Sequence, residues 1–287
     1  MTSFSNSVTT SQNIDAVVAS SLKTSINRFR ERPLLFFTEA DIQTYLHKDL
    51  ISRNTQHMTL DEGRISLIHR EYPTNFRYEK SRLLEGYSDK DLIETDLTNQ
   101  SIKSRGHFDL VVLNPKFLAK MTKKYGVINE MIAEIINKNV NRAIGRFKEP
   151  NSEHDKEILY AIEIKYLHMF NCNSASMLDQ IQMDNEKLSI ALRRTDSFIK
   201  PINIVFSSSN SPNNVKSYMT HGELVRRSTE KVYRIKSGIL NIYVEAYHDD
   251  ENKKYTNKKD GGLIAYCKDP QPWAITLCEK LMIKLNS

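Results

Sequence analysis

Two short runs decide how this chain reads: Gly106-His107-Phe108-Asp109-Leu110-Val111-Val112-Leu113 and Tyr160-Ala161-Ile162-Glu163-Ile164-Lys165-Tyr166. Successive side chains of a strand point to opposite faces. Asp109, Val111 and Leu113 then share one face of the first run, and Glu163 and Lys165 share one face of the second. Phe108, Leu110 and Val112, like Tyr160, Ile162 and Ile164, form opposite faces that are wholly apolar. Strands this apolar are normally buried on both sides, where two carboxylates and an ammonium are costly unless they pair or bind a metal. Those charges are the reason to look for function here.

Outward from these strands, the composition is that of an ordinary globular chain. Its 287 residues are 39% hydrophobic and 26% charged, enough to bury a substantial core. No apolar stretch approaches the roughly 18 to 20 residues of a membrane span. Met1 to Ser11 is rich in Ser and Thr but lacks the basic and apolar regions of a secretory signal, so a soluble, cytoplasmic protein with no membrane partner is expected. Cys172, Cys267 and Cys278 are scattered with no C-x-x-C pair, which argues against a disulfide framework and a cysteine-rich zinc site. The net charge of +6 and pI near 9.0 modestly favour a polyanionic partner. No phosphate loop, dinucleotide fingerprint, nucleophile elbow or H-E-x-x-H pair is present.

Residues 12 to 30 place Val17, Val18, Leu22, Ile26 and Phe29 at near-helical spacing and end in Arg28, Arg30, Arg32 and Pro33. This predicts an N-terminal helical arm over 1–33, followed by one domain over 34–287. Thr38, with Asp41 three residues later, predicts the cap of a helix reaching about Leu50, with Glu39, Ile42 and Leu46 on one face. Arg64 to Glu71 alternates as a strand, with Ile65, Leu67, His69 and Glu71 on one side and Pro73 ending it. After Asn114-Pro115, a helical stripe from Val127 to Ile144 predicts a helical, locally basic insertion at about 115–157, before the Glu163 strand. Ala175 to Arg194 reads as an amphipathic helix and Ile202 to Ser207 as a strand. Lys231 to His248 and Leu263 to Cys267 read as further strands, and Trp273 to Leu285 as a closing helix.

This order, a helix with Glu39, a strand, the Asp109 strand, the Glu163-x-Lys165 strand, a helix and a strand, resembles the PD-(D/E)XK nuclease superfamily over roughly residues 34 to 207. The resemblance implies an α/β fold: a central mixed β-sheet flanked by helices, a restriction-endonuclease-like core, here with a helical insertion. It departs from the motif at Phe108, where the naming Pro would stand. A Gln-x-x-x-Tyr is also missing, since Gln180 and Gln182 are followed four residues on by Asp184 and Glu186.

The chemistry implied is hydrolysis of phosphodiester bonds, in DNA, by a Mg²⁺-dependent (deoxyribo)nuclease in which Mn²⁺ may replace Mg²⁺. RNA remains open. Magnesium takes oxygen ligands, which Asp109, Glu163 and the carbonyl of Ile164 would supply, with Glu39 as an accessory ligand. Lys165 would stabilise developing negative charge or, with a lowered pKa, help deprotonate water. Glu71, His69, His107 and Gln182 are candidate site-lining residues. Arg77, Lys80, Arg82, Lys116, Lys120, Lys123 and Lys124 are candidate nucleic-acid contacts. A homodimer would suit cleavage of both strands. Two alternatives stay open: a non-catalytic nucleic-acid-binding or assembly protein with this fold, and an unrelated α/β protein whose Glu163 and Lys165 form a plain ion pair. Glu-x-Lys alone is weak, as it recurs at Glu251-Asn252-Lys253 in a polar loop.

Overall fold

The alternating runs assemble into one sheet. The structure, a computed structural model, describes residues 11–53, 58–60, 63–79, 82–84, 103–117, 158–168, 174–194, 199–209, 238–249, 254–256 and 262–287. Among these, β1 (Met58–Leu60) and β2 (Gly63–Ile65) pair only with each other. The rest of the strands make a nine-stranded mixed sheet: β3 (Ile68–Glu79), β4 (Arg82–Leu84), β5 (Lys103–Leu113), β6 (Ile158–His168), β7 (Lys200–Ser209), β8 (Leu240–Asp249), β9 (Lys254–Thr256), β10 (Leu263–Tyr266) and β11 (Leu285–Asn286). Their order is β11-β10-β8-β7-β6-β5-β3-β4, with β9 beside β8. Strands β3, β5 and β6 are antiparallel in succession, whereas β6, β7 and β8 run parallel.

Among the described residues, four long helices accompany the sheet: α1 (Ser11–Glu31), α2 (Glu39–Arg53), α3 (Ser174–Arg194) and α4 (Pro272–Leu281). The protein is therefore α/β, a central mixed sheet flanked by helices, as expected. A parallel pair needs a crossover connection, and α3 lies in the one between β6 and β7. No helix of the described residues is long and apolar enough to cross a membrane. Beyond Phe117, the expected insertion at 115–157 lies outside the described residues.

One face of the sheet carries Tyr160, Ile162 and Ile164 of β6 and Ile202, Ile204 and Phe206 of β7, all buried. Helix α1 packs on it. Val18, Leu22, Ile26 and Phe29 of α1 are buried in that same core, so the segment read as an arm is integral to it. The Phe29 ring lies 5.0 Å from that of Phe206 and 5.8 Å from that of Tyr166. Asp15 fixes the helix start, accepting hydrogen bonds from the Tyr160 hydroxyl at 2.6 Å and the Lys200 ammonium at 2.7 Å.

The cap read from Thr38 and Asp41 is present. Asp41 Oδ2 accepts from the Phe37 and Thr38 amides, each at 2.9 Å, and the Asp41 amide reaches back to Thr38 Oγ1 at 3.3 Å. These amides, Thr38 foremost, hold the Asp41 carboxyl below its ordinary pKa. Asp41→Ala should lower the thermal midpoint by a few degrees at neutral pH. A depressed carboxylate pKa stabilises above the unfolded value and is lost as pH falls through the folded one, so the deficit should shrink only in strong acid. An unchanged midpoint at neutral pH would remove the cap's assigned role.

Three boundaries differ from expectation. Pro73 does not end its strand: it pairs with His107, and the register then shifts before Arg77. There β3 has no outer neighbour among the described residues, since β4 covers only Arg77 to Glu79, and proline is tolerated on edges and at bulges. The last helix stops at Leu281 instead of running to Leu285. Met282 adopts the left-handed conformation (φ 60°), its amide bonding Cys278 and Glu279 carbonyls, and Leu285 then pairs in β11. The strand expected from Arg64 to Glu71 is broken at Ser66-Leu67, with Gly63–Ile65 in β2 and Ile68 opening β3, and of the strand read from Lys231 the residues before Gly238 lie outside the described residues.

Candidate functional site

Register settles whether the two opening strands meet. Leu110 pairs with Ile162 and Val111 with Ala161, so the next step along the antiparallel ladder sets Asp109 beside Glu163 on one face. The Ile164 amide donates to Asp109 Oδ2 at 2.6 Å, which puts the Ile164 backbone against that carboxylate. Glu39, at the start of α2, reaches the same place. Its Oε2 lies 3.3 Å from Lys165 Nζ and accepts from the Tyr166 amide at 3.2 Å. Asp109, Glu163, Ile164, Lys165 and Glu39, drawn from three elements, are thus one constellation.

Helix α3 covers this face and adds two charges. Asp184 Oδ2 lies 3.5 Å from Lys165 Nζ, and Lys187 Nζ lies 2.6 Å from Glu163 Oε2. Lys187 also donates to the His107 carbonyl at 2.7 Å and stands 3.8 Å from Asp184 Oδ1. The sequence reading singled out Gln182 on this helix, yet the Gln182 amide donates to Glu186 along the helix at 3.1 Å. Asp184 and Lys187 did leave a signal. They sit three apart between the apolar anchors Ile181 and Leu188, on a helix whose crossover role turns that side toward the sheet.

Side-chain exposure rises from 2% at Glu163 and 6% at Lys187 to 13% at Asp184, 16% at Lys165 and 33% at Glu39. The cluster is dry at one end and open at the Glu39 end. Burial raises the Asp109 pKa to about 7, against the pull of the Ile164 amide and Lys187, and raises that of Glu163 well above the ordinary carboxyl value. Lys165 is shifted upward. Burial works against its charge, but Asp184, Glu39 and Asp109 outweigh burial and raise its pKa, so the ammonium is firmly cationic.

The other candidates separate. Glu71 falls opposite Asp109 by register, but its backbone is left-handed (φ 49°) and its side chain exposed. His69 is bonded to the Ser66 carbonyl at 2.9 Å and packs edgewise on Tyr72, with a pKa lowered by burial. The His107 side chain is exposed, and it is the backbone carbonyl that enters the cluster. Lys116 is half-buried beside Asn114, whose Oδ1 accepts from its amide. Arg77 and Arg82 belong to β3 and β4, while Lys80, Lys120, Lys123 and Lys124 lie outside the described residues.

The donor chemistry suits a hard cation. Carboxylates outnumber ammonium groups in the cluster, and Glu163 Oε1 is buried with no hydrogen-bond partner among the described residues. The parallel register adds Asn203 beside Glu163, and both polar atoms of its buried amide are likewise without a partner. Uncompensated buried oxygens are what a Mg²⁺ ion takes as ligands. As arranged, however, no three Asp, Glu, His or Cys side chains among the described residues converge closely enough to hold an ion.

The fold and site define an α/β protein with a half-open cluster of buried carboxylates and lysines. Comparison with protein-family models, with curated proteins and with solved structures returned no match.

Proposed function

We propose that the chain is a Mg²⁺-dependent nuclease of PD-(D/E)XK type that hydrolyses phosphodiester bonds in DNA. The observation that carries this reading is the Ile164 amide bond to Asp109, one step beyond the Leu110–Ile162 pair, which sets Asp109 close to Glu163 on the strand that also presents Lys165. Asp109 and Glu163 would hold Mg²⁺ together with the Ile164 carbonyl, and Glu39 would assist. Bound there, the ion would supply charge neutralisation at the phosphate and activation of a water. The chain's own residues do the rest. The Ile164 amide orients Asp109, while Glu39 and Asp184 fix Lys165 and keep it charged. That ammonium acts as a stabiliser of the charge developing on the phosphate. Glu39, the most exposed member, marks the side from which a phosphate would enter.

A second reading has one observation of its own. Lys187 already neutralises Glu163, which would suit a non-catalytic nucleic-acid-binding or assembly protein. Incubation of plasmid and single-stranded DNA with Mg²⁺ or Mn²⁺, with and without chelator, separates the two. Chelator-sensitive cleavage is expected, together with binding that weakens steeply with salt. Salt-dependent binding without cleavage would overturn the nuclease reading in favour of the second.

A further inference from the structure

Resting on the nuclease reading, we propose that Lys187 is a built-in occupant of the cation site, and that a divalent ion binds by displacing its ammonium. Three oxygens from three elements surround Lys187 Nζ: Glu163 Oε2 of β6 at 2.6 Å, the His107 carbonyl of β5 at 2.7 Å and Asp184 Oδ1 of α3 at 3.8 Å. Two carboxylates and a carbonyl are the oxygen donors that hard divalent cations take. The ammonium therefore sits where these oxygens converge, close enough to Asp109 to act on its carboxylate as well.

Charge shows why this occupant is an incomplete substitute. Among the described residues, the cations facing Glu39, Asp109, Glu163 and Asp184 are Lys165 and Lys187. With all six ionised, two negative charges are left over, and Glu163 Oε1 is still without a hydrogen-bond partner among the described residues. A divalent ion supplies more charge at the same place. Lys187 enters from α3 on a flexible four-carbon stem, so its head group can withdraw by side-chain rotation while the helix and the strands below it stay in place. The consequence is a threshold: cation binding carries the cost of breaking the Lys187 contacts, so the ammonium keeps its place until the cation is abundant.

Calorimetric titration with Mn²⁺ at one fixed pH, on wild type, Lys187→Met and Lys187→Arg, tests this. Lys187→Met should bind Mn²⁺ about tenfold more tightly than wild type, and Lys187→Arg no more tightly. Equal or weaker binding by a folded Lys187→Met overturns the proposal. If wild type still cleaves DNA with Mn²⁺, the nuclease reading survives that result; absence of Mn²⁺ binding in every protein removes both. Should Lys187→Met not fold, the wild type decides. Reductive methylation followed by peptide mass spectrometry should find the Lys187 amine protected without Mn²⁺ and modified in saturating Mn²⁺. Protection that persists with Mn²⁺ bound overturns displacement.

Discussion

Lys165→Ala is expected to lower Mg²⁺-dependent DNA cleavage by on the order of 10³-fold while leaving salt-dependent DNA binding close to wild type. The size follows from where the ammonium sits. Its side chain is 16% exposed, between Glu39 at 3.3 Å and Asp184 at 3.5 Å, so it acts in a setting largely shielded from water. A positive charge held there by two carboxylates is already oriented when phosphate charge develops, and alanine removes it. The substitution also leaves Glu39 and Asp184 without that partner, so circular dichroism must show the variant folded before rates are compared. Lys165→Arg, which retains the charge, should recover part of the loss. Equal cleavage by wild type and Lys165→Ala would sink the assignment.

Asp109→Asn should make the protein both inactive and more stable, by about 4 kcal/mol at pH 8. The asparagine carbonyl can still accept the Ile164 amide, so geometry is kept and only the charge is lost. The sign comes from the pKa, raised by burial from 3.8 to about 7. Between these values the folded state holds a proton that the unfolded state has released, so wild-type stability falls as pH rises across that window. The penalty is complete above pH 7. Asparagine has no such slope, so denaturant unfolding should show the two proteins diverging from pH 4 to pH 8. Chelator-sensitive cleavage should be lost. A stability gap that is constant with pH, or a less stable variant at pH 8, would show that Asp109 is not held in a desolvated site.

Together the two variants describe a site that costs stability. Carboxylates left in a dry sheet face destabilise the fold and persist where function requires them. The same logic explains why the tripeptide Glu163-x-Lys165 was weak evidence by itself: a plain ion pair between those two residues would have satisfied it. The structure instead gives each charge a different partner, Lys187 for Glu163 and Glu39 with Asp184 for Lys165.

What could be read from the chain alone was local. Alternation in β5 and β6 sorted charged from apolar faces, because side-chain direction in a strand depends only on position. The Thr38–Asp41 cap was likewise legible, since its donors and acceptors lie within four residues of one another. Pro73 misled because the ban on proline in strands depends on whether an outer strand is present, which is a property of the sheet. Asp184 and Lys187 were missed because they lie on a helix after β6, and only the crossover between parallel strands brings that helix down over Glu163. Residue order determined which side chains could share a face. Tertiary structure decided which charges face one another, because ion pairing depends on distance in space, and here the contacts join Glu39, Asp109, Glu163 and Lys187 from four separate stretches of chain.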